Sequence, residues 1–425
     1  MVTAAPRTLT FDECLRLAQQ NNDEFKIAQL DYDIAEAQFQ AATGGFGPTV
    51  SINGAYSPGN KPTTIDIAQN TFFPGSPAAS MAFSTTFPYS TRVSLSQPIF
   101  TFGKVFCGFK MAEEGLRIGG IKLRKAKEKL KADVVNNFYR ALVMQENVKI
   151  LEESLKRSED MQRVTEDKYR AGEASSFDLL RAKIEVDNTR PNTRSARNGY
   201  ELIMKSLKNI IGAGLDDDIA LNGTLEYKKI PIEHSRIMQQ FTNRNDDKEI
   251  TEHAAAIAEY KKWLMVGQLF PNIALGANAT FYSTNTTYHA EKEYWKNSWD
   301  ITIGFQWQLF NGFKNAADIK QAAAEASKAA IAAQMAQKGL ALQMDSILRG
   351  LDEYKEIIEA ADKTIKQADE GYRIARQNYA SGIIKSIDLR DAEVALMRAK
   401  LNYLNALYNY ISKVQDLKNL TDEEQ

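Results

Sequence analysis

The chain has 425 residues, with 53 Lys plus Arg against 54 Asp plus Glu, for a net charge of −1. That balance lacks the basic excess of a nucleic-acid-binding protein. Two cysteines, Cys14 and Cys107, cannot form a disulfide framework or a four-ligand zinc site, and three histidines leave little for metal or acid–base chemistry. No apolar run reaches the roughly 18 residues of a membrane helix, and the mean hydropathy of −0.40 suits a water-facing chain.

The opening stretch, Met1 to Glu13, has neither the basic nor the apolar region of a signal peptide. A cytosolic protein or a mature form are the two expectations, and the patterns that follow favour the mature form. Those patterns come twice. Tyr169, Gly172, Ser176, Asp178, Leu179 and Ala182 recur 210 residues later as Tyr379, Gly382, Ser386, Asp388, Leu389 and Ala392. Phe100 and Lys104 recur at the same offset, whereas Asp23, Ile27 and Pro48 recur at 223, as Asp246, Ile250 and Pro271. An insertion between Pro48 and Phe100 accounts for the difference, and the whole reads as a tandem duplication.

Each half reads helix, strand, loop, strand, very long helix, tight turn, helix. The first repeat is expected over 1–211, with strands at about 48–58 and 88–100 and a helical hairpin at 103–211. A segment at 212–247 follows. The second repeat is expected over 248–420, with strands at about 271–282 and 298–310, a hairpin at 314–418, and a tail at 421–425. Leu130, Val134, Ala141, Met144, Val148, Leu151 and Leu155 form a 4-3 stripe, as do Leu340, Met344, Ile347, Leu351, Tyr354 and Ile358. Such a stripe specifies coiled-coil packing. No proline interrupts Gly103 to Ala171, so that helix would run roughly 100 Å. Gly172 and Gly382 suit left-handed caps; Ser175 or Ser176, and Ser386, offer N-caps. Pro191 is expected to kink its helix.

The four strand segments alternate with period two. Val50, Ile52 and Tyr56 interleave with Ser51, Asn53 and Ala55; Val93, Leu95 and Ile99 with Ser94, Ser96 and Pro98. Ile273 to Phe281 and Trp299 to Leu309 alternate in the same way. The last two approach the roughly 9–11 residues of a membrane-spanning strand. Tyr282, Trp295, Trp299, Trp307, Phe310 and Phe313 gather at their ends as interfacial girdles would. A one-sided soluble sheet shows the same alternation. Four strands in lipid cannot close alone, since the smallest barrels have about 8 strands and open edges are costly. A shared oligomeric barrel is then required, and three chains would give twelve strands.

The chain resembles the outer-membrane efflux protein (TolC) family from Leu9 to Leu420. The resemblance rests on LTFDECLRLAQQNNDEFKIAQLDYDIAEAQ, GFGPTVSINGAYS, SLSQPIFTFGK, KYRAGEASSFDLLRAK and NYASGIIKSIDLRDAEVAL. It implies an α+β membrane protein: a homotrimer with a twelve-stranded barrel, four strands per chain, continuous with a long helical coiled-coil barrel in the periplasm. It implies a passive channel-tunnel of a tripartite efflux or type I secretion system in the Gram-negative outer membrane, partnered by a periplasmic adaptor and an inner-membrane transporter. No cofactor and no nucleic acid belong to that picture. Drug efflux, metal efflux and protein secretion stay open. The alternative is a non-conducting coiled-coil tether of the cell envelope. Arg244-Asn245-Asp246 departs from the family's frequent Arg-Pro-Asp, and Pro191 is unusual in its helix.

No arrangement suggests an enzyme: His234, His253 and His289 stand singly in polar surroundings and read as solvated surface residues, and no glycine loop has a phosphate-binding frame. Asp388 and Asp391 fall on one helix face, where carboxylates also simply favour the positive end of the helix dipole. The resemblance matches them to paired aspartates at the periplasmic constriction, with Asp178 at the equivalent of the first. The family's basic latch position holds Ile384 here, with Lys385 and Arg390 nearby. Arg170, Ala171, Gly172, Ala174, Ala380, Ser381 and Gly382 form the tips where the adaptor would dock.

Overall fold

A computed structural model describes residues 7–58, 63–71, 73–83, 87–230, 234, 237, 245–283, 285, 287–381 and 383–421. Gly382, Arg244 and residues 422–425 of the expected tail lie outside them, as do parts of the segment at 212–247. In chain order the elements are β1 (Arg7–Leu9), α1 (Phe11–Asn21), α2 (Asp23–Gly44), β2 (Thr49–Tyr56), β3 (Thr63–Ile67), β4 (Ala79–Phe83) and β5 (Tyr89–Phe100). Then come α3 (Lys104–Arg170), α4 (Ser176–Ile210), β6 (Ile219–Leu221), α5 (Asp246–Gly267), β7 (Asn272–Ser283), β8 (Lys296–Gln306), α6 (Lys314–Ala380) and α7 (Ser386–Thr421). The chain is mostly helical, and α3 and α6 each span 67 residues. Among the described residues, no helix is long and apolar enough to cross a membrane.

Two compact units emerge. One comprises 1–34, 118–252 and 331–425; the other comprises 35–117 and 253–330. The first holds two apolar cores. Leu130, Val134, Phe138 and Leu142 of α3 close over Leu9, Cys14 and Ala18, with Leu207 and Ile211. Leu340, Met344, Ile347 and Leu351 of α6 close over Ala406, Leu407 and Tyr410 of α7. Leu130, Val134 and Ala141 of the first stripe and Leu340, Met344, Ile347, Leu351 and Ile358 of the second are thus buried, because a 4-3 spacing keeps one face inward, whereas Met144, Val148, Leu151, Leu155 and Tyr354 are half-buried. Leu225 packs against both cores. Burial pushes the Cys14 thiol up to about 11, leaving it an inert packing group.

Local chemistry sets the helix starts. Thr10 caps α1 in a capping box with Glu13, whose carboxylate accepts from the Thr10 N–H at 2.8 Å. Asn22 caps α2 by accepting from the Phe25 N–H at 2.9 Å, and Asn245 caps α5 by accepting from the Lys248 N–H at 3.1 Å. These two asparagines are 223 residues apart. Asn245 therefore does what the proline of the family's triplet could not, because a proline has no capping oxygen. Next to it, Asp246 is buried in a paired contact with Arg124. Helix α4 continues through Pro191.

The second unit contains a four-stranded antiparallel sheet in the order β2-β5-β7-β8, and β3 and β4 form a separate two-stranded ribbon. That ribbon falls in the loop expected between Pro58 and Pro88, of which 59–62, 72 and 84–86 lie outside the described residues. Parallel pairing of β1 with β6 joins segments about half the chain apart. Strand β8 stops at Gln306 rather than near 310; the Trp307 indole beyond it donates to the Leu269 carbonyl at 2.9 Å. Pro98 lies past the end of the β2 ladder, at a register shift against β7, where its missing N–H is tolerated.

Candidate functional site: an amphipathic sheet and two hairpin turns

Residues opposite each other in antiparallel strands point to the same face. Reading across the sheet, Ile52, Val93, Ala279 and Trp299 form one row, and Val50, Leu95, Ala277 and Ile301 the next. Leu275 with Ile303 and Ile273 with Phe305 extend that face. The other face carries Asn53, Arg92, Thr280 and Ser298, then Ser51, Ser94, Asn278 and Asp300. Polar contacts knit it: Arg92 Nε donates to Thr280 Oγ1 at 3.2 Å, and the Asn278 amide to Asp300 at 3.0 Å.

Four alternating segments have therefore been set in a register that puts every apolar set on one side. On β8 these side chains are largely uncovered, at 76% for Trp299, 65% for Ile301, 73% for Ile303 and 77% for Phe305. A one-residue slip of any strand would reverse its faces. Among the described residues, strands β2 and β8 each have a single neighbour, so each leaves an open edge. Tyr282 departs from the expected girdle: its row is the polar one, opposite Ser90 and Lys296, and its ring stacks on Phe87 at 3.9 Å.

The other candidate surfaces are the turns between α3 and α4 and between α6 and α7. In the first turn the Glu173 N–H donates to the Lys168 carbonyl at 2.8 Å and the Gly172 N–H to the Tyr169 carbonyl at 3.0 Å. This is a Schellman cap. Gly172 has φ +78°, and a Cβ there would meet open space; the backbone sign alone asks for glycine. In the second turn the Ile383 N–H donates to the Asn378 carbonyl at 2.8 Å. Ala171, Ala380 and Ser381 are exposed and Ala174 is half-buried. Arg170 is exposed too and pairs with Glu166 of its own helix at 2.8 Å.

The two N-caps differ. Ser175 forms a full capping box with Asp178: its hydroxyl donates to the carboxylate at 2.6 Å and accepts from the Asp178 N–H at 3.1 Å. These hydrogen bonds, aided by Arg181 and Lys385, hold the Asp178 carboxyl below its ordinary range. In the second turn Ser386 is not the cap but the first helical residue. Lys385 stands at the cap position, and Asp388 accepts only its backbone N–H, at 3.0 Å. Lysine has no oxygen to return the bond.

Asp388 and Asp391 are both exposed on α7, and no cation lies within ion-pair distance of either among the described residues. Arg390 pairs with Glu185 of α4 at 3.0 Å, and Arg157 of α3 pairs with Glu393 of α7 at 2.6 Å. Both ion pairs link one hairpin to the other beside the aspartates. Glu185, Glu393 and Arg157 had no sequence signal, since their partners lie 205 to 236 residues away. His253 corrects the expectation of an isolated surface group, whereas His234 is exposed as expected. His253 Nδ1 contacts Glu114, a carboxylate only 7% exposed that Arg117 also reaches at 3.2 Å. His234 lies 3.2 Å from Asp352, and His289 stacks on Tyr294. Periodicity places a residue on a face but does not reveal a partner on another helix.

Against this geometry, known proteins give a consistent picture. A profile of the outer membrane efflux protein family matches residues 14–213 and 251–422. The chain is similar to the probable efflux pump outer membrane protein TtgC of Pseudomonas putida, at 23% identity over 386 residues, covering 89% of this chain and 76% of the relative. It is also similar to the alkaline protease secretion protein AprF of Pseudomonas aeruginosa, at 19% identity over 327 residues, covering 76% and 67%. Its fold matches the crystal structure of the Campylobacter jejuni CmeC outer membrane channel with a TM-score of 0.82, at 16% identity, covering 97% of this chain and 85% of that one. The profile spans most of the chain, whose repeated hairpins and apolar-faced sheet it embraces: this protein belongs to the outer membrane efflux protein family, a family of outer-membrane channel proteins and not of enzymes.

Proposed function

We propose that the chain is one of three identical protomers of an outer-membrane duct. Its sheets close edge to edge into a twelve-stranded barrel, and its hairpins assemble into a periplasmic conduit. The observation that carries this reading is the register of the sheet: one face apolar over four strands, the other polar, with both edges open. In lipid each unpaired edge group costs several kcal/mol, so closure with other copies satisfies the edges while the polar face lines a lumen. The recurrence of the 6→1 turn bond and of the asparagine caps at the repeat offsets supports an internal duplication. Similarity to TtgC and to AprF supports a duct that serves either efflux or protein secretion, loaded by an inner-membrane transporter through a periplasmic adaptor. The adaptor docks on the small and exposed residues of the two tips, from Arg170 to Ala174 and from Ala380 to Gly382.

Asp388 and Asp391, without ion-pair partners among the described residues and on an exposed helix start, form the inner constriction. Six carboxylates near one axis favour cations and resist anions. Lys385 and Arg390 flank them; Arg390 is already held by Glu185. Single-channel recording of purified protein in planar bilayers tests this. Small cation-selective currents are expected, larger and no longer blocked by multivalent cations when Asp388→Ala and Asp391→Ala are combined. An unchanged current would remove the aspartates from the constriction, and no current despite confirmed insertion would return the chain to a tether.

A further inference from the structure

A groove of about 420 Å³ lies among α3, α4, α6 and α7 just behind the two turns. Its volume falls in the range of small-molecule sites, roughly 300–1,000 Å³. Met161, Val164, Ala182, Tyr372, Tyr379 and Leu389 give it an apolar floor. The charges around it are unevenly committed. All four carboxylates that line it have partners: Glu393 holds Arg157, Glu185 holds Arg390, Asp160 holds Arg163 at 3.2 Å, and Asp178 is engaged by Ser175. Two of its four arginines are not so committed. Arg181 rests over the Phe177 ring at 5.5 Å and acts on Asp178 only through space, and neither it nor Arg376 has a carboxylate within ion-pair distance among the described residues. An apolar floor with two guanidiniums left over at its rim is complementary to a ligand with an apolar body and one anionic group, because a guanidinium binds a carboxylate or sulfonate through paired N–H donors.

We propose that this groove is a binding site for a small amphipathic anion, seated with its apolar body against Met161 and Tyr379 and its charge between Arg181 and Arg376. The Arg157–Glu393 and Arg390–Glu185 pairs bridge the hairpins at the same place, so an occupant braces the two hairpins together. The site needs only the helical unit, and its test is separate from whether the chain conducts.

The experiment is calorimetric titration of the full chain in lipid nanodiscs with two matched probes, 2-naphthoate and 2-naphthylmethylammonium. The carboxylate should bind at least about tenfold more tightly, the ratio expected of one charge-assisted hydrogen-bonded contact. Combining Arg181→Gln with Arg376→Gln should abolish that preference, and Arg181→Lys with Arg376→Lys should keep it. Ala182→Trp should fill the groove and remove carboxylate binding, with an unchanged helical circular dichroism spectrum showing that the fold survives. Equal affinity for the two probes, no binding of the carboxylate, or a preference that persists in the double glutamine variant would each overturn the site.

Discussion

The helical unit and the four-stranded sheet sort the same kinds of side chain in opposite directions. On α6 and α7, Met344, Leu351 and Leu407 are sealed from solvent where the two helices meet. On β8, Trp299, Ile301, Ile303 and Phe305 lie exposed on one face, and Ser298, Asp300 and Thr302 share the face lined by Arg92 and Asn278. Two helices can bury each other's stripes within a single chain. A single sheet cannot: its apolar face has no partner layer among the described residues, and exposed apolar surface on this scale marks a surface meant for something other than water. Under the proposed function the partner of that face is lipid. Burial within the chain is therefore a readout of the core in one region and of the solvent in the other.

The sharpest way to test that contrast is to make the same truncation in both places. Leu351→Ala empties a fully buried site and should cost about 2–5 kcal/mol. Guanidinium unfolding followed by the helical circular dichroism signal measures it. Ile303→Ala, at a site 73% exposed, should leave that helical transition unmoved. A charge sharpens the contrast further. Ile303→Arg places a cation on the apolar face and should cost about 2–4 kcal/mol per chain if that face meets the middle of a bilayer. Thr302→Arg, one residue away, points to the polar face and should be tolerated. Recovery of folded protein from membranes separates the two, and equal recovery of both would remove lipid as the partner of the apolar face.

Much of this contrast was legible in the sequence, for a reason of symmetry. Alternation in Trp299–Leu309 and the 4-3 stripe in Leu340–Ile358 are local patterns, and a periodic element repeats its environment along its own length. Gly172 was equally readable, because a positive φ at a helix end has few other occupants. The caps were only partly so. Thr10 with Glu13 and Asn22 with Asn245 carry a capping signal that hydrophobic periodicity does not display. At 385 the repeat itself misled, since it suggested a serine cap where lysine had taken the position. Contacts between distant segments were not readable at all. The pairing of β1 with β6, the Glu114–His253 contact and the ion pairs joining the hairpins depend on how helices and strands are brought together, which no local pattern encodes. At the candidate site, the sequence supplied the aspartates and the tips; the groove behind them needed four helices in place.

The smallest effect concerns the two turns, which share a backbone turn bond and differ in chemistry. Ser175→Ala removes a hydroxyl that both donates to and accepts from Asp178, so it should cost about 1 kcal/mol of local helix stability, as N-cap losses do. Ser386→Ala should cost close to nothing, because Ser386 lies inside the helix and caps nothing. Acidity should reproduce the difference without a mutation. The carboxyl of Asp178 is held below its ordinary range by the Ser175 bonds. Its ionised form is therefore favoured by folding, and its contribution is complete above the ordinary carboxylate pKa. As pH falls through that range toward the lowered folded value, the contribution is lost. Hydrogen exchange of the amides from 175 to 179, corrected for intrinsic rates between pH 7 and pH 3, should show protection falling with acid. Replacing Ser175 with alanine should flatten that dependence, because without the hydroxyl the carboxylate loses its strongest reason to stay ionised. An acid response that persists undiminished in the Ser175→Ala protein would mean that Arg181 and Lys385, rather than the cap, hold the first turn in its charged state.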